Sequence, residues 1–487
     1  MSASKIIPVI LAGGKGTRLW PVSREDLPKQ FCKMDDGTSL FQQSIARVHN
    51  DPLFDAPIIV TGDRYVDMVK SQLKDLNCGP MAIISEPQGR DTAAAVLLAV
   101  EVASSRKDQL LLVMPSDHLI ADELEFMRAV KFAAPSAEKD GLIITFGIKP
   151  SHPETGFGYI RAGDPLYNRH VCDLECFIEK PDQETAEKLL QDPNVFWNAG
   201  IFLIDQETVR REFTKHAPEV FAPVFKSVAD GDWHGKVFRP DSGRFAQVPS
   251  ISFDYAIMEP TTCKATIAVN PQWSDLGSWK AVWETSERDE NQNVIGDNCY
   301  AVNVNDSYVR SDGPVVGLAG VDDVVVVASP DAVLVTSRSN PQDVKGLVDT
   351  LKDNSVAAAS AHSGCDHSWG SESNLRKGEG FRVRHVEIKP GERLPAGYHH
   401  HRDQAWTLVR GTVHAIDGHC TAIKSAGEQI FVAKGTRYRL ENPTQEPVEL
   451  IEIQLGDYLG DDDFVPTDTD TETTTTNSSA QLEDCAA

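Results

Sequence analysis

Five short apolar runs open the chain: Ile6 to Leu11, Pro57 to Val60, Ala82 to Ser85, Leu110 to Met114 and Leu142 to Phe146. They alternate with helix-like stretches such as Thr92 to Ser104. Continuous apolar runs belong to strands buried on both faces, and strands separated by helices pair mostly in parallel. The pattern predicts an α/β domain over residues 1–265. From Cys299 the spacing tightens, with Tyr300 to Val304, Val315 to Ala319, Val324 to Ala328 and Ala332 to Val335 separated by Gly, Asp and Pro turns. A β-rich, β-helix-like segment is expected over 266–352, ending in a helix at Gln342 to Lys352, and the small residues of 353–366 suggest a linker. Phe381 to Ile388, Trp406 to Val409, Gln429 to Val432 and Val448 to Ile453 point to a small barrel or sandwich over 367–460. Residues 461–487 are acidic and poor in apolar side chains, so they are expected to be disordered.

The 47 Lys and Arg face 72 Asp and Glu, a net charge of −25. So acidic a surface excludes nucleic acid and anionic membranes as broad partners, since both reward basic proteins. No window approaches about 18 uninterrupted apolar residues. The nine cysteines are odd in number, and the nearest pair, Cys172 and Cys176, lacks the two-residue spacer of a zinc or redox motif. With no cleavage signal after Met1 to Lys5, a cytoplasmic protein with reduced thiols is expected. Residues 1–33 break the acidic trend: Lys5, Lys15, Arg18, Arg24, Lys29 and Lys33 stand against Glu25 and Asp26 alone.

That basic stretch holds LAGGKGTRLWPVSREDLPKQF, directly after the first strand. Gly13, Gly14 and Gly16 let backbone N–H groups approach an anion, and Lys15, Arg18 and Lys29 add charge, which outlines a phosphate cradle. An ordinary glycine turn with solvated charges is the alternative. Neither dinucleotide fingerprint nor P-loop is present: Leu19 stands where the first needs glycine, and the second needs GK[ST] after four spacers.

The stretch GGKGTRLWPVSREDLPKQF resembles the signature of bacterial mannose-1-phosphate guanylyltransferases. Seven further blocks follow in family order: EPQGRDTAAA, LLVMPSDHLI, TFGIKPSHPETGFGYI, FIEKP, FWNAGIFL, SISFDYAIME and WSDLGSW, ending at Trp279. The resemblance implies an α/β, Rossmann-like nucleotidylyltransferase domain with a mixed, mostly parallel sheet. It further implies transfer of GMP from GTP to mannose 1-phosphate with Mg2+. Carried over residue by residue, it makes Arg18 and Lys29 catalytic. Leu11, Ala12, Gly13, Gly14, Gly16, Thr17, Gly89, Arg90 and Thr92 become nucleotide-binding. Gly156, Glu179, Lys180 and Asn198 would bind the sugar phosphate, and Asp117 and Asp275 the metal. Asp91 and Ala94 depart from the family's usual asparagine and proline, which bears on guanine selectivity.

The likeness continues through Ser307 to Val335 and Phe381 to Trp406 into long, bifunctional relatives that append a cupin-like β-barrel with mannose-6-phosphate isomerase activity. Their four metal-ligand positions correspond here to Gly397, His399, Gln404 and Tyr438, and three of the four are changed. Without the carboxylate and the distant histidine a zinc site cannot assemble in that way, so neither zinc nor isomerase activity is expected there. A second arrangement, from His399 and His401 with His385 or His414, and a working bifunctional enzyme remain alternatives. A non-catalytic sensor of nucleotide sugars would have lost Arg18, Lys29, Asp117 or Asp275, and all four are present. The β-rich segment is a natural place for copies to pair, so a homo-oligomer is one expectation.

Overall fold

The computed structural model describes residues 5–14, 16–34, 37–106, 109–167, 169–417 and 420–467, together with every side chain there except those of residues 17, 417 and 420. Lys15 and residues 468–487 of the expected tail lie outside them. The described residues form two compact units, divided between His362 and Ser363.

The first unit is built on an eleven-stranded sheet. Its strand order is Asp232–His234, Val237–Arg239, Ala82–Glu86, Ile58–Gly62, Ile7–Ala12, Leu111–Pro115, Val195–Ile204, Ile143–Ile148, Lys264–Val269, Cys172–Ile178 and Tyr159–Pro165. The five strands from Val237–Arg239 to Leu111–Pro115 are mutually parallel, flanked by antiparallel pairing to Asp232–His234 at one end and to Val195–Ile204 at the other. Ile7 and Val9 face one apolar layer, Ile10 and Ala12 the other, which is why the first run is continuously apolar. On one side lies the helix Asp91–Val102, whose residues Ala93 to Glu101 are all buried. The sheet runs on through Val269, a few residues past the expected boundary at 265.

Beyond it, Val294–Ile295, Tyr308–Ser311 and Val324–Ser329 stack in parallel, as do Cys299–Val302 and Val316–Ala319. These are the coils of a short β-helix, and the helix Asp343–Asp353 packs on them. Arg24, counted among the basic residues of 1–33, is fully buried here and paired with Asp331 at 2.5 Å. The expected linker is likewise fixed: His362 donates its backbone N–H to Asp26 Oδ2 at 2.6 Å, and Glu25 N–H bonds the Ser360 carbonyl at 3.1 Å.

The second unit is a two-sheet antiparallel barrel of the cupin type. One sheet has the order Gly364–His367, Gly370–Gly378, Phe381–Ile388, Val448–Gly456, Arg402–Arg410, Gln429–Val432. The other runs Cys420–Ser425, Thr412–Asp417, Tyr438–Glu441, Gly397–His399, Phe464–Pro466. Val386, Ile388, Trp406, Leu408, Leu440 and Leu450 fill the space between. Residues 461–467 therefore belong to the barrel rather than to a disordered tail. Asp463 is wholly buried, bonds Arg402 Nε at 3.0 Å and accepts the His400 and His401 backbone N–H groups. Asp463→Ala leaves Arg402 charged and unpaired, so the second unit is expected to lose about 3–5 kcal/mol. Urea unfolding of the full chain measures this, and a change below about 0.5 kcal/mol would refute it. Among the described residues no helix is long and apolar enough to cross a membrane.

Candidate active site

Open α/β sheets bind ligands beyond the carboxyl ends of their parallel strands, and the strand Ile7–Ala12 ends there in the glycine loop. Gly14 and Gly16 have φ of +91° and +54°. A Cβ on Gly16 would come within 2.7 Å of Lys29 Cβ and 2.9 Å of Lys29 N, so this glycine lets the loop lie on Lys29. Gln30 Nε2 donates to the Gly13 carbonyl at 3.1 Å and Thr61 Oγ1 to that of Ala12 at 2.9 Å, while Ser23 Oγ bonds the Gly16 carbonyl. Leu11 accepts the Ser116 N–H at 3.1 Å. Gln30, Ser23 and Thr61 thus shape the loop, and no motif reading had singled them out. Thr17 sits in the turn Thr17–Leu19 with its side chain outside the described residues, and Arg18 beside it is exposed.

Lys29 is buried and its Nζ lies 2.9 Å from Asp117 Oδ2 and 2.5 Å from the Asp275 carbonyl. The structure therefore brings Lys29, Asp117 and Asp275 together from three distant stretches. Burial works to raise the Asp117 carboxyl, but the Lys29 charge, His118 and the hydrogen bonds hold it below the usual carboxylate value. Asp275 is oriented by the Gly277 N–H, 3.0 Å from Oδ1. Two anionic hard-oxygen groups fixed in this way suit a magnesium ion that keeps several waters and takes phosphate oxygens. His118 was not foreseen. Burial lowers its affinity for a proton, and Trp273 Nε1 donates to its Nδ1 at 3.2 Å, which places the single proton on Nε2.

Trp273 also packs edge-on to Phe157, with centroids 5.4 Å apart, and Phe157 to Trp197 at 5.2 Å. This aromatic wall runs from the aspartate pair toward Asn198 and Lys180, which were expected at the sugar phosphate. Glu179 follows the strand Cys172–Ile178 and bonds Lys180 Nζ at 2.9 Å. Gly158 lets backbone approach Glu179, since a Cβ there would meet Oε2 at 2.6 Å, and Gly156, expected at the sugar, is exposed and donates its N–H to Glu154 Oε1 at 2.8 Å. Asn198 accepts from Thr145 Oγ1 at 2.7 Å and donates to Asp254 Oδ1 at 2.8 Å. Asp254, also unforeseen, has its carboxyl pushed up to about 7 by burial and then by the Glu179 charge.

In the expected base-facing loop, Gly89 borders open space. Arg90 and Thr92 are anchors: Arg90 Nη2 donates to the Ala246 carbonyl at 2.6 Å, and Thr92 Oγ1 accepts the Phe253 N–H at 2.8 Å. The carboxylate of Asp91 accepts the Thr92 N–H. Glu86, at the end of the strand Ala82–Glu86, is buried with Oε1 lacking any partner. Burial, helped by the Asp91 charge, pushes its carboxyl up to about 8.

In the barrel, Gln404 Nε2 donates to Tyr438 Oη at 3.2 Å and to Glu452 Oε1 at 2.5 Å, and Arg384 Nε bonds Glu452 Oε2 at 2.5 Å. His399 stacks near Tyr438 at 6.1 Å, its Nδ1 unpartnered, its pKa lowered to about 4 by burial and by Arg402. Gly397 pairs with Tyr438 across the sheet, and a Cβ there would strike Phe464.

A glycine-rich loop at a parallel sheet's carboxyl edge, facing a lysine and two aspartates that follow separate strands, defines a nucleotidyltransferase. The nucleotidyl transferase family profile matches residues 7–292, the MannoseP isomerase/GMP-like beta-helix domain 297–351, and the mannose-6-phosphate isomerase C-terminal domain 354–469. The chain is 38% identical over 462 residues to the mannose-1-phosphate guanylyltransferase RfbM of Salmonella typhimurium, covering 94% of this chain and 96% of that one. It is 35% identical over 460 residues to the alginate biosynthesis protein AlgA of Pseudomonas aeruginosa, 94% and 95% of the two chains. A solved structure described as a mannose-1-phosphate geranyltransferase from Thermus thermophilus superposes with a TM-score of 0.64 at 30% identity, over 72% of this chain and 99% of that one. The chain belongs to the mannose-1-phosphate guanylyltransferase family.

Proposed function

We propose that this enzyme transfers GMP from GTP to α-D-mannose 1-phosphate, giving GDP-mannose and pyrophosphate. The observation that carries this reading is the convergence of Lys29, Asp117 and Asp275 beside the glycine loop. An oxygen of the sugar phosphate attacks the α-phosphorus, and the bond to the bridging oxygen of the β-phosphate breaks, releasing pyrophosphate. The attacking oxygen is already ionised, so the site needs no strong base; alignment and charge compensation dominate.

In this reading Asp117 and Asp275 hold magnesium, which supplies positive charge to the phosphates when bound. The glycine loop orients the nucleotide, and Arg18, exposed at its end, meets the β- and γ-phosphates. Lys29 holds Asp117 anionic and adds charge near the α-phosphate. Glu179, with Asp254 and Asn198 behind it, accepts the mannose hydroxyls, and Lys180 meets the sugar phosphate. Glu86 reads guanine: a buried acceptor without a partner suits the N1–H and 2-amino donors of that base. GTP and sugar phosphates place the reaction in the cytoplasm.

Pyrophosphate release from mannose 1-phosphate with GTP, ATP, UTP or dTTP in magnesium tests the assignment. GTP is expected to win, with turnover collapsing in Asp117→Ala; no turnover with any nucleotide would refute it. The barrel is expected to be without isomerase activity, because Gln404 and Tyr438, at two of the four ligand positions, bond each other, and Gln404 also bonds Glu452, which Arg384 holds. A coupled assay with mannose 6-phosphate in zinc, cobalt or manganese should give no fructose 6-phosphate. Formation that is lost on His399→Ala would overturn that prediction.

A further inference from the structure

The second unit begins with a hairpin of the strands Gly364–His367 and Gly370–Gly378, and one face of it carries three different metal-binding groups. In the register Cys365 lies opposite Glu372, and His367 is two residues along the same strand. Cross-strand partners and i, i+2 neighbours share a face, so backbone pairing alone aligns a thiol, an imidazole and a carboxylate. Their side chains converge: Cys365 Sγ is 3.0 Å from His367 Nε2 and 4.0 Å from Glu372 Oε1, and the three ligand atoms all lie within 4.8 Å of one another. Bonds of about 2.0 to 2.3 Å from one zinc ion to sulfur, nitrogen and oxygen place such ligand atoms at similar mutual distances.

The neighbours hold these groups in place. The His367 ring stacks on Trp369 with centroids 4.5 Å apart and planes at 13°. Glu372 presents Oε1 to the cluster because Oε2 accepts from Arg384 Nη1 at 2.5 Å, and the other side of Arg384 is neutralised by the buried Glu452. Such outer partners orient metal ligands and raise their affinity. Gly370, just after the turn, lets the hairpin lie close on the strand Phe381–Ile388, since a Cβ there would run into the Glu387 carbonyl.

We propose that Cys365, His367 and Glu372 form a zinc site on this hairpin, with the fourth position open to water because Cys365 is exposed. Thiolate with imidazole favours zinc over magnesium or calcium. The site is separate from the barrel positions Gly397, His399, Gln404 and Tyr438, and it revises the expectation of a zinc-free C-terminal domain.

The test uses the full-length protein, stripped with a chelator and titrated with Co2+ and then Zn2+. One equivalent of Co2+ should produce a thiolate-to-metal charge-transfer band that Zn2+ displaces, and Zn2+ should protect Cys365 from iodoacetamide, as mapped by mass spectrometry. Cys365→Ser should abolish the band, and His367→Ala or Glu372→Gln should each weaken Zn2+ more than tenfold. The wild-type spectrum and protection decide the matter even if a variant fails to fold. No band in the wild type, a band that persists in Cys365→Ser, or metal bound at the His399 to His401 run without thiolate would overturn the proposal.

Discussion

Lys29→Met should lower kcat by about 100- to 1,000-fold while tightening magnesium binding to the free enzyme. The two effects have one cause. Lys29 Nζ lies 2.9 Å from Asp117 Oδ2, so in the proposed mechanism it competes with a cation for that oxygen even as it supplies charge to the reacting phosphates. Removing it uncovers the carboxylate for Mg2+ and takes away a fixed positive charge. A role in folding alone would lower metal affinity and turnover together, so half-saturation by Mg2+ read against kcat separates the two. The pH profile gives a third readout. Lys29 holds the Asp117 carboxyl below its ordinary value, and the stability this contributes is present above the unfolded value and lost as pH falls through the folded one. Without Lys29 the carboxyl rises, so the acid limb of the rate profile should move to higher pH. The unfolding cost should be about 1–2 kcal/mol rather than the full cost of a buried pair, because the Asp117 side chain is one third exposed. Unchanged turnover in Lys29→Met would remove Lys29 from the mechanism.

The sequence made the sheet legible because its strands are buried on both faces and read as unbroken apolar runs. The loop was legible because Gly14 and Gly16 adopt φ that other residues avoid. Long-range closure was harder to see. Asp254 and His118 sit inside blocks whose order was evident, but nothing local says that Asp254 returns to Asn198 or that Trp273 meets His118. Gly156 and Gly158 stand two residues apart in the turn before the strand Tyr159–Pro165, and only the distance to Glu179 tells them apart. Charge counting misled in two places for one reason: it assigns every ionic group to solvent. Arg24 is buried against Asp331, and Asp463, the last of three consecutive aspartates, is buried against Arg402.

Glu86, proposed above to read guanine, presents the same physics, since a buried carboxyl without a full set of partners is costly unless a ligand completes it. Guanine offers two adjacent donors where adenine offers an acceptor beside its amino group, so an ionised Glu86 attracts one base and repels the other. Glu86→Gln should therefore lower kcat/KM for GTP by about 100-fold or more and shrink the preference over ATP by a similar factor. The carboxyl stands at about 8 before GTP arrives, so binding must expel its proton. The apparent KM for GTP should fall about tenfold for each pH unit toward 8 and level off above it, whereas Glu86→Gln should be flat over the same range. Stability of the free enzyme runs the other way. The folded carboxyl binds its proton more tightly than the unfolded one, so its contribution is full below the unfolded value near 4.5 and declines as pH rises toward 8. Thermal unfolding with and without GTP from pH 5 to 9 should thus show stabilisation by GTP growing with pH in the wild type and not in Glu86→Gln. A GTP-to-ATP ratio unchanged by the substitution would place guanine recognition elsewhere in the loop that Arg90 and Thr92 anchor.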